Sequence, residues 1–232
     1  MPNPDNAPIK ITYQFVLSDE TRFSFDIAFD PVSILNTNSP TTKPPYWTRL
    51  DVAKCPHCPL NEATSPHCPI ALNLVGVIKY SSIIASYEEA HVTVITGERT
   101  YTATLASQKA FSSLIGLIMA TSDCPHMAFL KPMARFHLPF STLLDTIYRA
   151  TSMYMLSQYF NIKNQKKIDL EFEGLKTAYQ NIHELNKAMK SRIKVTCQED
   201  ASVNALVILD AFTSLLPGSI EKDLKKIRHL FV

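Results

Sequence analysis

Four of the five cysteines in this chain, Cys55, Cys58, Cys68 and Cys124, are each followed by proline. Pro-His-Cys-Pro occurs at 56–59 and again at 66–69 inside CPHCPLNEATSPHCP, and Cys124-Pro125-His126 echoes it. Two cysteines separated by two residues turn both sulfurs toward one point, and a soft cation binds the thiolates. Cys68 then supplies a third ligand and Cys124 a fourth, since loop closure costs little more over a long loop than over a short one. The expected site is a four-cysteine zinc centre, with an iron–sulfur cluster as the alternative because Cys-Pro also occurs in cluster motifs. Proline in place of glycine after the second cysteine departs from the zinc-knuckle pattern. His57, His67 and His126 stand beside the expected ligands and read as groups that orient the site, or that replace one cysteine. Arg135 and His137, between Pro132 and Pro139, read as a second set facing the metal or a small anion. The competing reading is four buried, unreactive thiols. Cys197 has no proline and reads as an ordinary thiol.

The flanking sequence says which elements hold these residues. Pro69 opens an apolar stripe of Ile70, Ala71, Leu74, Val75 and Ile78, so it reads as a first helical residue with Cys68 as N-cap. A second helix is expected from Ser107, as N-cap, to about Ala120, with Cys124 just past its end. Ahead of the cysteines, Ile9 to Leu17 and Phe23 to Phe29 alternate apolar and polar around Ser18-Asp19-Glu20-Thr21, the pattern of a β-hairpin. A second hairpin spans His91 to Ile95 and Arg99 to Ala103. Both are expected in one antiparallel sheet, because a lone hairpin is marginal in water. Tyr46 to Val52 reads as a further strand, and Thr121 to Pro139, with its three prolines, as an irregular loop. Long one-faced helices are expected over Ser141 to Phe160 and around Leu175 to Met189. Asp200 would cap another, and a break at Pro217-Gly218 is followed by a last helix capped by Ser219.

The predicted class is therefore α+β: N-terminal antiparallel hairpins in one small sheet, packed on a mainly helical C-terminal part. We expect one domain over 1–232, with a hairpin-rich part at 1–105 and a helical part at 106–232. A net charge of +2 with dispersed basic residues points away from nucleic acid. The longest apolar run, Phe111 to Ala120, is too short for the ~20 residues a membrane span needs. No signal peptide pattern opens the chain, and a cytoplasmic location with reduced cysteines is expected.

The stretches WTRLDVAKCPHCPL, HCPIALNLVGVI, PMARFHLPF and TIYRATSMYMLSQYF resemble an uncharacterised family of bacterial proteins with a CPxCPL and HCP pattern. The resemblance covers roughly residues 9 to 160, and the residues matching it are Cys55, Cys58, Cys68 and Cys124. It implies a bacterial cytoplasmic protein and no particular activity.

Three functions follow from these residues. The first is a closed structural zinc in a protein that acts on an unidentified protein partner, or on its own copy through the C-terminal helices. The second is an iron–sulfur redox or sensory protein. The third is an enzyme, with a zinc-bound water and His137 or Glu88 as proton acceptor, or with Cys55 and Cys58 as a metal-free redox pair. No nucleophile elbow, phosphate loop or metal-plus-glutamate motif supports the third.

Overall fold

In the computed structural model, residues 7–38, 43–81, 84–195 and 201–231 are described. Strands β1 (Ile9–Leu17), β2 (Arg22–Phe29), β3 (Glu89–Ile95) and β4 (Thr100–Ala106) form one antiparallel sheet in the order β2-β1-β3-β4. Both expected hairpins are present, and β1 joins them. Phe15 pairs with Phe23 on one side and Val92 on the other, and Tyr13 with Phe25 and Val94. This register puts Ile11, Tyr13, Phe15 and Leu17 of β1 on the same buried face as Ala90, Val92 and Val94 of β3.

That face is covered by α1 (Pro69–Ser81) and α2 (Ser107–Ala120). Helix α2 is apolar around most of its circumference and is buried accordingly. Phe111 stacks on Phe15 with ring centroids 5.0 Å apart, and Phe15 stacks on Phe23 at 4.8 Å. Ser107 is the first helical residue of α2 and Ala106 its N-cap; the Ser107 hydroxyl donates instead to the Glu88 carbonyl and ties α2 to β3. Helix α5 (Glu173–Lys194) lies along α6 (Ala201–Ile227), and α6 lies across α2, closing the main core from the side away from the sheet. A smaller core joins Ile147 and Ala150 of α4 (Leu143–Lys163) to Leu175, Tyr179 and Ile220. Helix α4 starts on a capping box: Asp145 N–H donates to the Thr142 hydroxyl, and Thr142 N–H donates to the Asp145 carboxylate.

Three local expectations are corrected. Tyr46 to Val52 is not a strand but a 3-10 turn at Tyr46–Thr48 followed by a bend. The carbonyls that a ladder would use, those of Trp47, Arg49 and Leu50, are taken by the guanidinium of Arg192 on α5. Thr121 to Pro139 is not irregular throughout: a 3-10 turn at Pro125–Leu130 runs into α3 (Lys131–Arg135), and prolines 125 and 132 sit in first-turn positions where a missing N–H costs nothing. Pro217-Gly218 does not break the last helix, since α6 is continuous to Ile227. Ile220 and Ile227, beyond the proline, are buried, and this packing outweighs the ~3 kcal/mol that a proline costs a helix interior. Cys197 and the expected cap Asp200 lie outside the described residues. Among the described residues no single helix is long and apolar enough to cross a membrane.

Candidate functional site

The proline-flanked cysteines come from three places. Cys55 and Cys58 sit in the loop before α1, where the Cys58 N–H donates to the Cys55 carbonyl at 3.1 Å. Cys68 precedes α1, and its carbonyl accepts the first helical bond from Leu72 N–H. Cys124 is the residue before the 3-10 turn. Cys68 and Cys124 are buried, and Cys55 and Cys58 pack against the same core. The thiols are near enough to feel one another. Burial first, then the neighbouring sulfurs of Cys68 and Cys58, pushes Cys55 up to about 11. Burial likewise pushes Cys124 up to about 12, with Cys68 and Cys55 adding to the effect.

Nearness is not convergence, however. Among the described residues no three histidine, cysteine, aspartate or glutamate side chains meet at a point that could hold a metal ion. The four-cysteine metal protein expected from sequence is therefore corrected, in its zinc, iron–sulfur and zinc-enzyme versions alike. What the spacing encodes is a set of cysteines packed against the apolar core, where burial raises the pKa of Cys55 and Cys124.

The residues expected around the metal have other partners. His57 and His126 meet edge-to-face with ring centroids 4.2 Å apart, and His126 Nε2 lies 3.0 Å from the His57 carbonyl. Burial and the neighbouring His126 lower the pKa of His57. His67 Nδ1 is 2.8 Å from the Thr48 hydroxyl and braces the 3-10 turn. Arg135 is exposed, its guanidinium 5.4 Å from the ring centre of Phe136. Only His137 leads to a site.

That site is a cavity of about 380 Å³ between α2, the α3–α4 segment, α5 and α6. Its walls are mainly apolar, with Leu117, Met127, Leu130, Met133, Ile182 and Leu209 among them. Two polar points interrupt them. At the first, Ser113 and His137 line the cavity, and behind them the fully buried Tyr13 hydroxyl of β1 lies 2.6 Å from His137 Nε2 and 2.8 Å from the Ser113 hydroxyl. Phe140, held in the left-handed region at φ 60°, donates its N–H to Ser113 Oγ at 3.3 Å. Arg149 lines the same region and donates to the Met133 and Phe136 carbonyls at 3.2 and 2.7 Å. Burial, with Arg149 adding to it, depresses His137 to about 3, so the ring is neutral at ordinary pH. Burial also raises the pKa of Tyr13, partly offset by the Ser113 bond. The second point is Asn186 on α5, 1 % exposed, whose Nδ2 donates to the Thr213 hydroxyl of α6 at 3.3 Å. Its Oδ1 is buried and has no hydrogen-bond partner among the described residues.

Sequence reasoning named His137 but not Tyr13, Ser113, Arg149 or Asn186. Each of these reads as an ordinary strand or helix residue until β1, α2, α4 and α5 are brought together. The one visible signal was a polar residue on an otherwise apolar face, at Ser113 in α2 and Asn186 in α5.

No curated protein and no solved structure matches the chain. Residues 11–232 match a family defined as a domain of unknown function (DUF6901), so the cysteine loop, the cavity and all of the sheet but Ile9 and Lys10 lie within the matched region, and the chain belongs to that family.

Proposed function

We propose that this protein binds a small, mostly apolar molecule in the cavity between α2, α4, α5 and α6. The observation that carries the reading is a buried acceptor, Asn186 Oδ1, left unpaired in the wall of a cavity of about 380 Å³. An orphaned buried polar atom costs about 1–3 kcal/mol, and a guest carrying one hydroxyl or amide N–H removes that cost. The volume falls in the ~300–1,000 Å³ range of small-molecule sites, and apolar walls with few convergent polar groups are their usual lining. The Ser113–Tyr13–His137 chain supports recognition rather than proton abstraction. A histidine depressed to about 3 is a weak base near neutral pH, and a tyrosine with a raised pKa gives up its proton reluctantly. As a neutral hydroxyl and imidazole at the wall, Ser113 and His137 can still bond a carbonyl or hydroxyl of the guest. The four thiols suit the reducing cytoplasm expected from sequence.

The test is titration with the neutral fluorophore 1-aminoanthracene. Gly116 lines the cavity on α2, and a Cβ there would meet Leu209 Cδ2 at an ordinary 3.5 Å. Gly116→Phe should fill the space and weaken probe binding at least ~10-fold without loss of thermal stability. Equal binding by both proteins would refute the reading, as would failure of decanol to displace the probe from the native protein.

A further inference from the structure

We propose that the outer face of α4 joins two copies of this chain, the helices running antiparallel about a two-fold axis near Ser152 and Met153. On α4, Leu144, Tyr148, Met155, Tyr159 and Ile162 are spaced four, seven, four and three residues apart. At 3.6 residues per turn these positions share a sector of roughly 60° and run for about 27 Å. Every one of them is exposed, by 37 to 56 %, while Ile147, Thr151 and Gln158 along one flank of the stripe, and Ala150 beyond them, are buried. Leu156 and Phe160, 57 and 55 % exposed, widen the stripe. A soluble surface rarely leaves so continuous an apolar band without a partner.

Size and charge point to a second copy. Side chains of this kind, about half exposed, offer on the order of 100 Å² each, or roughly 700 Å² per protomer, close to the ~800 Å² that each partner gives to a standard interface. Antiparallel pairing sets Leu144 against the partner's Ile162, Tyr148 against the partner's Tyr159 and Met155 against the partner's Ser152. It also brings Asp145, in the first turn, toward the partner's Lys163, in the last, and opposes the two helix dipoles. Parallel pairing would set like charges side by side. A membrane surface is disfavoured by the flanks: Arg149 and Lys163 are the only cations on α4, and Arg149 is occupied by the Met133 and Phe136 carbonyls.

Sedimentation equilibrium of the full chain at about 1–100 µM decides the matter. The native chain should be dimeric, and Met155→Glu with Tyr159→Glu should raise the dissociation constant at least ~30-fold, as loss of central anchors does. Ser157→Glu, on the other side of α4, should leave it unchanged. A chain carrying both Ser152→Cys and Met155→Cys should form a disulfide between copies under mild oxidation, read by peptide mass spectrometry, and this remains decisive where the double glutamate variant loses its helical signal. A native chain that is monomeric throughout the range overturns the proposal. So does a folded double glutamate variant that is still dimeric, or a Ser152→Cys, Met155→Cys chain that forms no disulfide between copies.

Discussion

Arg192 offers the sharpest test of how the cysteine loop is held. It is 2 % exposed in the last turn of α5, and its guanidinium donates to the carbonyls of Trp47 at 2.8 Å, Leu50 at 3.3 Å, and Arg49. Nε makes no hydrogen bond, and among the described residues no carboxylate forms an ion pair with the side chain. The positive charge is therefore balanced by three carbonyl dipoles and the end of the α5 dipole. Arg192→Met keeps the apolar stem and deletes the donors. Three orphaned carbonyls at about 1–3 kcal/mol each would cost ~3–9 kcal/mol, and the variant recovers several kcal/mol that it no longer spends desolvating a cation. We expect a net loss of ~3 kcal/mol, or about 6–12 °C in melting temperature for a chain of this length. Arg192→Lys, a point charge that cannot span three acceptors, should lose ~1–2 kcal/mol. The sole tryptophan, Trp47, lies in the clamped turn. Urea unfolding followed by its emission should therefore show the turn releasing before the helical circular dichroism falls. A change in stability under ~0.5 kcal/mol, with native tryptophan emission, would refute the account.

Other predictions follow from the sites above. His137, depressed to about 3, stabilises the fold fully above its unfolded pKa of ~6.5, and that contribution drains away as pH falls toward 3. Between pH 7.5 and 5 the native protein should lose ~2 kcal/mol that His137→Gln does not lose, and parallel urea titrations of both proteins with equal slopes would contradict this. Phe111→Ala, at the centre of the aromatic stack under the sheet, should cost ~3–5 kcal/mol in thermal or urea unfolding. Gly174→Ala should destabilise by ~1–3 kcal/mol, because the new methyl would press on the Tyr154 hydroxyl that donates to Asp169; an unchanged melting temperature would show that the tyrosine moves aside freely. Treatment with EDTA should leave the melting temperature unchanged, and a fall of several degrees would restore the metal reading.

The parts of the fold legible in sequence are those whose residues answer to their immediate neighbours. Ile11, Tyr13, Phe15 and Leu17 alternate because one face of β1 is buried, so the strand and its register toward β2 follow from period two alone. The amphipathic repeats of α4 and α5 are equally local. The failures share a cause: tertiary packing, brought by elements distant in the chain, decided the matter. The 46–52 segment has the composition of a strand, but Arg192 takes its carbonyls. Pro217 is a helix breaker by its own chemistry, yet burial of Ile220 carries α6 through it. The cavity was illegible for the same reason, since Tyr13 and Ser113 are 100 residues apart and meet only once α2 lies on the sheet.

The cysteines show why spacing alone misleads about chemistry. Cys-Pro repeated at 55, 58, 68 and 124 has the residue types and intervals of a metal site, and the chain does bring those thiols near one another. What spacing does not encode is dielectric environment and aim. Cys68 and Cys124 are buried on the flank of the main core, and at Cys124 burial disfavours the thiolate, pushing its pKa up to about 12. A preformed thiolate centre would need donors or cations turned toward the sulfurs. Arg192, on α5, lowers Cys55 against the larger effect of burial, and its hydrogen bonds go to the Trp47, Arg49 and Leu50 carbonyls. Loop, thiols and clamp thus form one packing unit. In it the prolines fix the backbone, the sulfurs fill apolar space, and Arg192 fastens the whole to α5, which carries Asn186 at the cavity wall two turns earlier. Loosening that clamp should therefore be felt in the cavity, and Arg192→Lys should weaken binding of 1-aminoanthracene although no atom of Arg192 lines the site. Unchanged probe affinity in that variant would separate the two regions and leave the cysteine loop a purely local structure.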